Sequence, residues 1–334
     1  MTPDATSPGT TATPAVPSVL TQAPILAYAV RGTFVESAHR GSVVAVGGDG
    51  GIRLQRGAVD SPILPRSSNK PIQALAMVRA GLDLPPHLLA LACASHSGEP
   101  FHLAGVREIL TAAGLTEADL QNTPDYPVDP DERDRAVAAG EPPSALFQNC
   151  SGKHAAMLTT CGITGWDRAT YRDPAHPLQR AIADTLAELA GEPVAATEVD
   201  GCGAPVMAVT LTGLARAFGR LAAADPDTAE GRIAAAMRAH PEYVAGTHRD
   251  ATALMRGTPG AIAKDGAEAV YAVGLPDGTG IALKVADGGQ RARPVILAAA
   301  MAALGVESTA YDTLRDAPIL GHGAPVGAIV ATGV

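Results

Sequence analysis

Val43-Val44-Ala45-Val46-Gly47-Gly48-Asp49-Gly50-Gly51-Ile52-Arg53-Leu54-Gln55 consists of two short runs around a glycine-rich turn. Glycine supplies the positive φ that tight hairpin turns require, so the stretch reads as an antiparallel hairpin. Residues 25–30 precede it as a further short strand. The same pattern returns far along the chain, where residues 269–273 and 280–285 flank the turn Pro276-Asp277-Gly278. Between these two ends the periodicity changes. Residues 68–80 carry Ile72, Leu75, Ala76 and Val78 at helical spacing, with Gly81 as the stop. Residues 101–113, 153–160, 177–190, 206–217 and 231–239 read as further helices, and 294–304 closes the chain as another. Residues 88–93 read as a short apolar strand. Residues 124–143 are polar and proline-rich, which reads as a surface excursion.

There is no internal repeat, and no strand–helix alternation of a doubly wound sheet. The expected fold is therefore α+β. One antiparallel sheet is built from both chain ends, about 25–65 and 262–334. A helical region, about 66–261, lies between them, with a cleft where the two parts meet. Residues 1–24 are rich in Thr, Ala and Pro and are expected to form a mobile tail. Residues 25–334 are expected to form one catalytic unit.

Composition narrows the function. The chain has 334 residues, 46% hydrophobic and 18% charged, which is a folded composition. Aromatics are only 3%, so the core must be built from Ala, Val, Leu and Ile. A net charge of −9 without any basic run argues against a nucleic-acid partner. No apolar stretch approaches the ~18 residues of a membrane span. The N-terminus lacks the basic and apolar regions of a signal peptide, so a cytoplasmic protein is expected. The four cysteines, Cys93, Cys150, Cys161 and Cys202, are too few for a disulfide scaffold and are expected to be reduced. Cys93 and Cys161 lie in apolar surroundings and read as core residues.

Lysine is the informative residue. Of 25 basic residues, only Lys70, Lys153, Lys264 and Lys284 are lysines. Three of these four fall in segments dense in reactive groups. Arg66-Ser67-Ser68-Asn69-Lys70 places Ser67 and Lys70 at i, i+3 at a helix start, one helix face apart by a single turn. A neutral lysine amine there can take the serine proton and make the oxygen a nucleophile. Pro71 is compatible with this only if the helix starts near Ser67 or Ser68. Gln148-Asn149-Cys150-Ser151-Gly152-Lys153-His154 gathers an amide, a thiol, an amine and an imidazole at another helix start. Cys150 there suits either a nucleophile or a metal ligand, although C-x-x-K matches no ordinary zinc spacing. In Asp200-Gly201-Cys202-Gly203-Ala204-Pro205 the glycines permit close backbone approach, Pro205 can open a helix, and Asp200 can anchor an ammonium group. Cys150 and Cys202 together offer two thiolates to a soft metal. Lys264-Asp265-Gly266-Ala267-Glu268 precedes a strand, and Ala94-Ser95-His96-Ser97-Gly98-Glu99 follows one.

These five segments together resemble the asparaginase II family, the Rhizobium-type or class 3 L-asparaginases, from about residue 25 to the C-terminus. C-S-G-K-H and D-G-C-G-A-P are the specific part. The resemblance implies a fold like the serine β-lactamases and glutaminases, and hydrolysis of L-asparagine to L-aspartate and ammonia. It implies two Ser–Lys pairs, Ser67–Lys70 and Ser95–Lys264, with Ser97 as the alternative to Ser95. It implies a zinc ion held by Cys150, Lys153 and Cys202, and a homodimer. Arg66 and Asp200 would hold the substrate's carboxylate and ammonium, with His154 lining the site. Two other readings stay open. S-x-x-K followed by a later Lys-x-Gly also occurs in β-lactamases and penicillin-binding enzymes, though Lys264-Asp265-Gly266 stands where K-T-G is expected. In a non-catalytic zinc protein, Cys150 and Cys202 would only staple the two parts together.

Overall fold

The structure is a computed structural model, and it describes residues 16–334. Among the described residues, eleven strands fall in two sheets. They are β1 (Ile25–Arg31), β2 (Phe34–Val46), β3 (Ile52–Arg56), β4 (Pro62–Ile63), β5 (Ala196–Val199), β6 (Pro205–Thr210), β7 (Ile262–Gly266), β8 (Val270–Gly274), β9 (Gly280–Val285), β10 (Pro318–Gly321) and β11 (Ala324–Ala331). The large sheet runs β10-β11-β1-β2-β9-β8-β7, with β3 also on β2, and every pairing is antiparallel. Both chain ends therefore build one sheet, as the two hairpin signals predict. β2 makes the join. Its first half pairs with β1 and its second half, Gly41 to Val46, pairs with β9.

β7 and β8 are buried at every residue, and β9 at all but Lys284. Consecutive strand residues face opposite sides, so helices must cover both faces. Small residues let one of them come close. Leu211–Ala222 lies on β8 and β9 at Gly219, Gly274 and Gly280. A Cβ on Gly280 would stand 1.7 Å from the Ala215 carbonyl, and one on Gly274 2.1 Å from that of Phe218. The helical region between the sheet halves is centred on Lys70–Arg79, whose residues are buried from Lys70 through Val78.

Several local expectations change. Residues 88–92 belong to a helix, Pro86–Ala92, with Cys93 as its C-cap, and not to a strand. An apolar run of that length has no diagnostic period, and Pro86 in the first turn with Leu and Ala after it favours helix. Residues 206–217 divide into β6 and the helix Leu211–Ala222. Pro205 therefore opens a strand, not a helix. The boundary is Thr210, whose hydroxyl accepts from the Gly213 N–H and caps the helix. The expected surface excursion contains the helix Pro130–Ala138, capped by the Asp129 carboxylate. Lys264 stands ahead of β8 as expected, but it also lies within a strand of its own, β7. The helix Arg293–Ala303 does not close the chain, because the hairpin β10–β11 follows. Its turn carries His322 and Gly323 at positive φ. The middle region is not purely helical, since β5 and β6 pair there and, with β4 from the N-terminal part, form a small antiparallel sheet. Of the expected tail, residues 1–15 lie outside the described residues, while Ser18–Thr21 is a short helix with Val19 buried. Among the described residues, no helix is long and apolar enough to cross a membrane.

Candidate active site

Arg66–Asn69 is a 3-10 turn that runs directly into the helix Lys70–Arg79. Pro71 occupies the first turn of that helix, where its missing N–H leaves no hydrogen bond unmade. Arg66, the residue before Ser67, has φ 52°, a left-handed conformation that costs a non-glycine residue roughly 1–2 kcal/mol. Such strain concentrates at functional positions. Ser68 turns inward and donates to the Pro65 carbonyl at 2.7 Å. Ser67, half-buried, lies in the wall of a cavity of about 330 Å³. Ser95, Asn149, Arg249, Asp265 and Arg293 also line it. The cavity thus lies between the helical region and the edge of the large sheet at β7.

Lys70 is 1% exposed. Its Nζ donates to the Ala94 carbonyl at 2.6 Å and to Ser95 Oγ at 2.9 Å. A lysine–serine contact is made by Lys70 and Ser95, which crosses the expected division into Ser67–Lys70 and Ser95–Lys264. The spacing i, i+3 puts Ser67 and Lys70 on one side of the turn, but it does not fix where a long side chain ends. Lys70 reaches across to the next segment. Lys264, fully buried, donates instead to its neighbour Asp265, to the carbonyl and to Oδ1, both at 2.8 Å. Burial lowers the Lys264 amine to about 8, with the charge of Asp265 opposing and that of Lys70 adding to the shift. Of the two candidate second serines, Ser95 lines the cavity beside Ser67. Ser97 is buried beside Gly246, and its backbone carbonyl accepts from Asp129.

The Ser95 segment is tied to the Cys150 segment. The His96 N–H donates to the Asn149 carbonyl at 3.1 Å, and His96 Nε2 lies 2.7 Å from Ser151 Oγ. Ser151 spends its one hydroxyl proton on the Leu146 carbonyl at 2.8 Å, so His96 must donate through Nε2. Burial holds this imidazole well below its ordinary value, hence neutral.

Cys150, Lys153, His154 and Cys202 are all buried, and Cys150 and Lys153 both meet Cys202. Lys153 Nζ is 3.2 Å from Cys202 Sγ. The Cys202 thiol is lowered to about 4, first by the hydrogen bond from Cys150 and then by the Lys153 charge, against burial. Cys150 is raised to about 12 by that same bond and by burial. Its single proton has two acceptors, Cys202 and Asn149 Oδ1, the latter at 3.1 Å. Burial opposes the charge on Lys153, but the Cys202, Cys150 and Asp200 charges outweigh it and hold the amine above its ordinary value. Lys153 and Cys202 thus face each other as an ammonium and a thiolate. Among the described residues, no three His, Cys, Asp or Glu side chains form a metal cluster; the nitrogen beside the two sulfurs is the Lys153 amine. Two sulfurs and one nitrogen suit zinc. A zinc-bound nitrogen and sulfur at ~2.0 and ~2.3 Å in a tetrahedron stand about 3.5 Å apart, close to the 3.2 Å between Lys153 Nζ and Cys202 Sγ. The donor set fits the ion once Lys153 and Cys150 lose their protons.

Arg66 Nε donates to Asp200 Oδ1 at 2.7 Å, so the two expected substrate anchors bind each other. Burial would raise the Asp200 carboxyl, but Lys153 and Arg66 hold it below the usual range. His154 Nδ1 is paired with the Tyr171 hydroxyl, and its buried Nε2 has no partner among the described residues. Cys93 and Cys161 are core residues, as expected. Arg249 and Arg293 carry no motif in the sequence; only folding brings them to this wall. Asn149 and Asp265 stand inside the quoted motifs, yet nothing in their spacing marks them as cavity-lining.

No curated protein matches the chain. Solved structures match it distantly. Mglu in its native form is 15% identical with a TM-score of 0.43, the match covering 80% of this chain and 65% of Mglu. This chain thus spans just under two thirds of that protein's length. EstCE1, a hydrolase with promiscuous acyltransferase activity, is 12% identical with a TM-score of 0.42, over 77% of this chain and 92% of EstCE1. A variant of simvastatin synthase from Aspergillus terreus is 13% identical with a TM-score of 0.34, over 74% of this chain and 86% of the synthase. The family model for L-asparaginase II matches residues 27–331, a span that includes all five quoted motifs. The chain belongs to the L-asparaginase II family.

Proposed function

We propose that this protein is an L-asparagine amidohydrolase working through Ser67, Ser95, Lys70 and Lys264. The observation that carries the reading is the buried Lys70 amine held on Ser95 Oγ at 2.9 Å, with Ser67 and Ser95 in one cavity wall. A neutral amine has two N–H groups and one lone pair. Acting as the base, Lys70 would spend both N–H groups on the Ala94 carbonyl and Ser95 and keep the lone pair for the Ser67 proton. Ser67 then attacks the side-chain amide carbon, at a helix start whose dipole favours the developing negative charge. The C–N bond breaks, and the leaving nitrogen takes a proton originating on Lys264, with the Ser95 hydroxyl as relay. Water next attacks the aspartyl ester and returns a proton to Lys264. Lys70 returns the other to Ser67, so both lysines are reset.

Arg66 and Asp200 would release each other to bind the carboxylate and ammonium of the amino acid, with His154 beside them. Cys150, Lys153 and Cys202 would hold zinc, which supplies an electrostatic anchor for substrate; two thiolates make it a weak Lewis acid. The test is ammonia release from L-asparagine, with L-glutamine and nitrocefin as controls. Release from asparagine is expected. No release from folded protein at any zinc level would overturn the reading, and nitrocefin turnover alone would replace it with a β-lactamase. Mass spectrometry of trapped enzyme should find the ester on Ser67; an adduct on Ser95 alone would exchange the serine roles.

A further inference from the structure

Asp265 is a buried carboxylate at the cavity wall with an unusual number of cations around it. Lys264 Nζ donates to its Oδ1 at 2.8 Å. Arg249 donates to its Oδ2 at 2.7 Å, and Arg293 approaches the same oxygen at 3.4 Å. The arginines are themselves fixed. Arg293 donates to the Gly266 carbonyl, to Gln290 Oε1 and to Asp250 Oδ2, and lies over the Tyr271 ring at 4.9 Å. Arg249 immediately precedes the helix Asp250–Gly257, while Arg293 opens the helix Arg293–Ala303. Two helices thus converge on one carboxylate from outside β7. Two carboxylates, Asp250 and Asp265, face three cations, which leaves one positive charge in excess. A carboxylate needed only to neutralise Lys264 would not require two guanidinium groups on its other side.

We infer that Asp265, gripped by Arg249 and Arg293, is a positioning residue that keeps Lys264 an ammonium and so reserves it to give a proton to departing ammonia. This rests on the proposed amide hydrolysis. In that step the C–N bond breaks, one N–H bond on Lys264 breaks, and one forms on the leaving nitrogen. Hydrolysis of the ester restores the Lys264 proton from water. The two lysines then have opposite jobs for a geometric reason. Lys70 meets only a carbonyl and a hydroxyl, and Lys264 meets a carboxylate. The other ionisable groups around Lys264 are few. Lys70 faces it from the helix Lys70–Arg79, Arg249 from the start of its helix, and Cys93 from the end of Pro86–Ala92. The Cys93 thiol is raised to about 12 by burial and stays neutral. Arg293, Asp250 and Tyr271 act on Lys264 through Asp265.

The experiment is the pH profile of kcat/KM for ammonia release in wild type, Asp265→Asn, Arg249→Met and Lys264→Met. Activity requiring a protonated Lys264 falls on an alkaline limb, and the Lys264 amine stands near 8. Asp265→Asn removes the anion and should move that limb down by a pH unit or more. Arg249→Met removes a cation and should move it up by half a unit or more. A merely structural role moves neither limb, and it cannot move them in opposite directions. Unmoved limbs, or limbs shifted the same way, overturn the inference. If Asp265→Asn is not obtained folded, Asp265→Ser takes its place: a downward shift supports the inference, and no shift or an upward one overturns it. Lys264→Met separates the two levels. A loss of about 10²-fold or more is expected; wild-type activity there would overturn the role of Lys264 and the Asp265 inference with it, whereas that loss with unmoved limbs in the other variants would overturn the Asp265 inference alone.

Discussion

Replacing Lys70 by arginine keeps the positive charge and removes the chemistry. The Lys70 amine sits 2.6 Å from the Ala94 carbonyl and 2.9 Å from Ser95 Oγ, in a site that is 1% exposed. A guanidinium can donate to both acceptors, but it does not give up its proton in a protein, so it cannot take one from a serine. Loss of a positioned general base removes about 10²–10⁴-fold in rate, or roughly 3–5 kcal/mol of transition-state stabilisation. Arginine is also longer and planar. Fitting it into a close-packed site costs about 1–3 kcal/mol of stability, which thermal unfolding will register and which does not by itself abolish turnover. The measurement is kcat and KM for ammonia release from L-asparagine, paired with a melting curve. The expected result is a folded enzyme with kcat down at least a hundredfold. A folded Lys70→Arg enzyme with kcat within threefold of wild type would refute the base. Lys284→Arg is the matched control. Lys284 is half-buried and donates only to the carbonyls of Glu268 and Val285, so kcat should change by less than about twofold, in line with the small effect of most substitutions away from a site.

Other outcomes follow from the same geometry. Lys153→Arg and Cys202→Ser should each abolish zinc binding, read by metal content after dialysis; retained stoichiometric zinc in Cys202→Ser would show that the ion sits elsewhere. Gly266→Ala should lower kcat in a folded protein, because its Cβ would stand 2.7 Å from the Pro65 carbonyl and 3.2 Å from the Ser68 nitrogen and push on the Ser67 turn; unchanged kinetics would mean that the turn yields freely. Stability should fall in mild acid. Burial lowers His102 to about 4 and holds His96 and His154 well below 6.5, so below pH 6.5 the unfolded chain binds protons that the folded chain refuses. Each such histidine contributes stability that is full above 6.5 and is lost as pH drops toward the folded value, at up to ~1.4 kcal/mol per pH unit. Denaturant midpoints at pH 7.5, 6.5 and 5.5 check this, and equal midpoints would contradict it.

What was legible in the sequence was local. Gly47 through Gly51 and Pro276-Asp277-Gly278 announced their hairpins because turn chemistry acts within a few residues. Pro177–Ala190 was readable to the residue because its apolar stripe, its N-terminal proline and Gly191 agree. Thr210 shows the limit: a cap inside an apolar stretch separates β6 from its helix, and hydropathy alone runs the two together. The scarcity of lysine pointed to Lys70, Lys153 and Lys264, and all three are among the largest fully buried side chains. A buried lysine costs too much to keep without a use or a partner.

Composition and motif therefore selected the reactive residues and the family, because amine, thiol and hydroxyl chemistry is a property of residue type. Which lysine meets which partner was decided only by the tertiary structure. Lys70 and Ser95 are 25 positions apart, Lys153 and Cys202 are 49 apart, and Arg249 and Asp265 are 16 apart. The end of a long flexible side chain is placed by the surfaces that pack around it, and spacing along the chain carries no record of those surfaces.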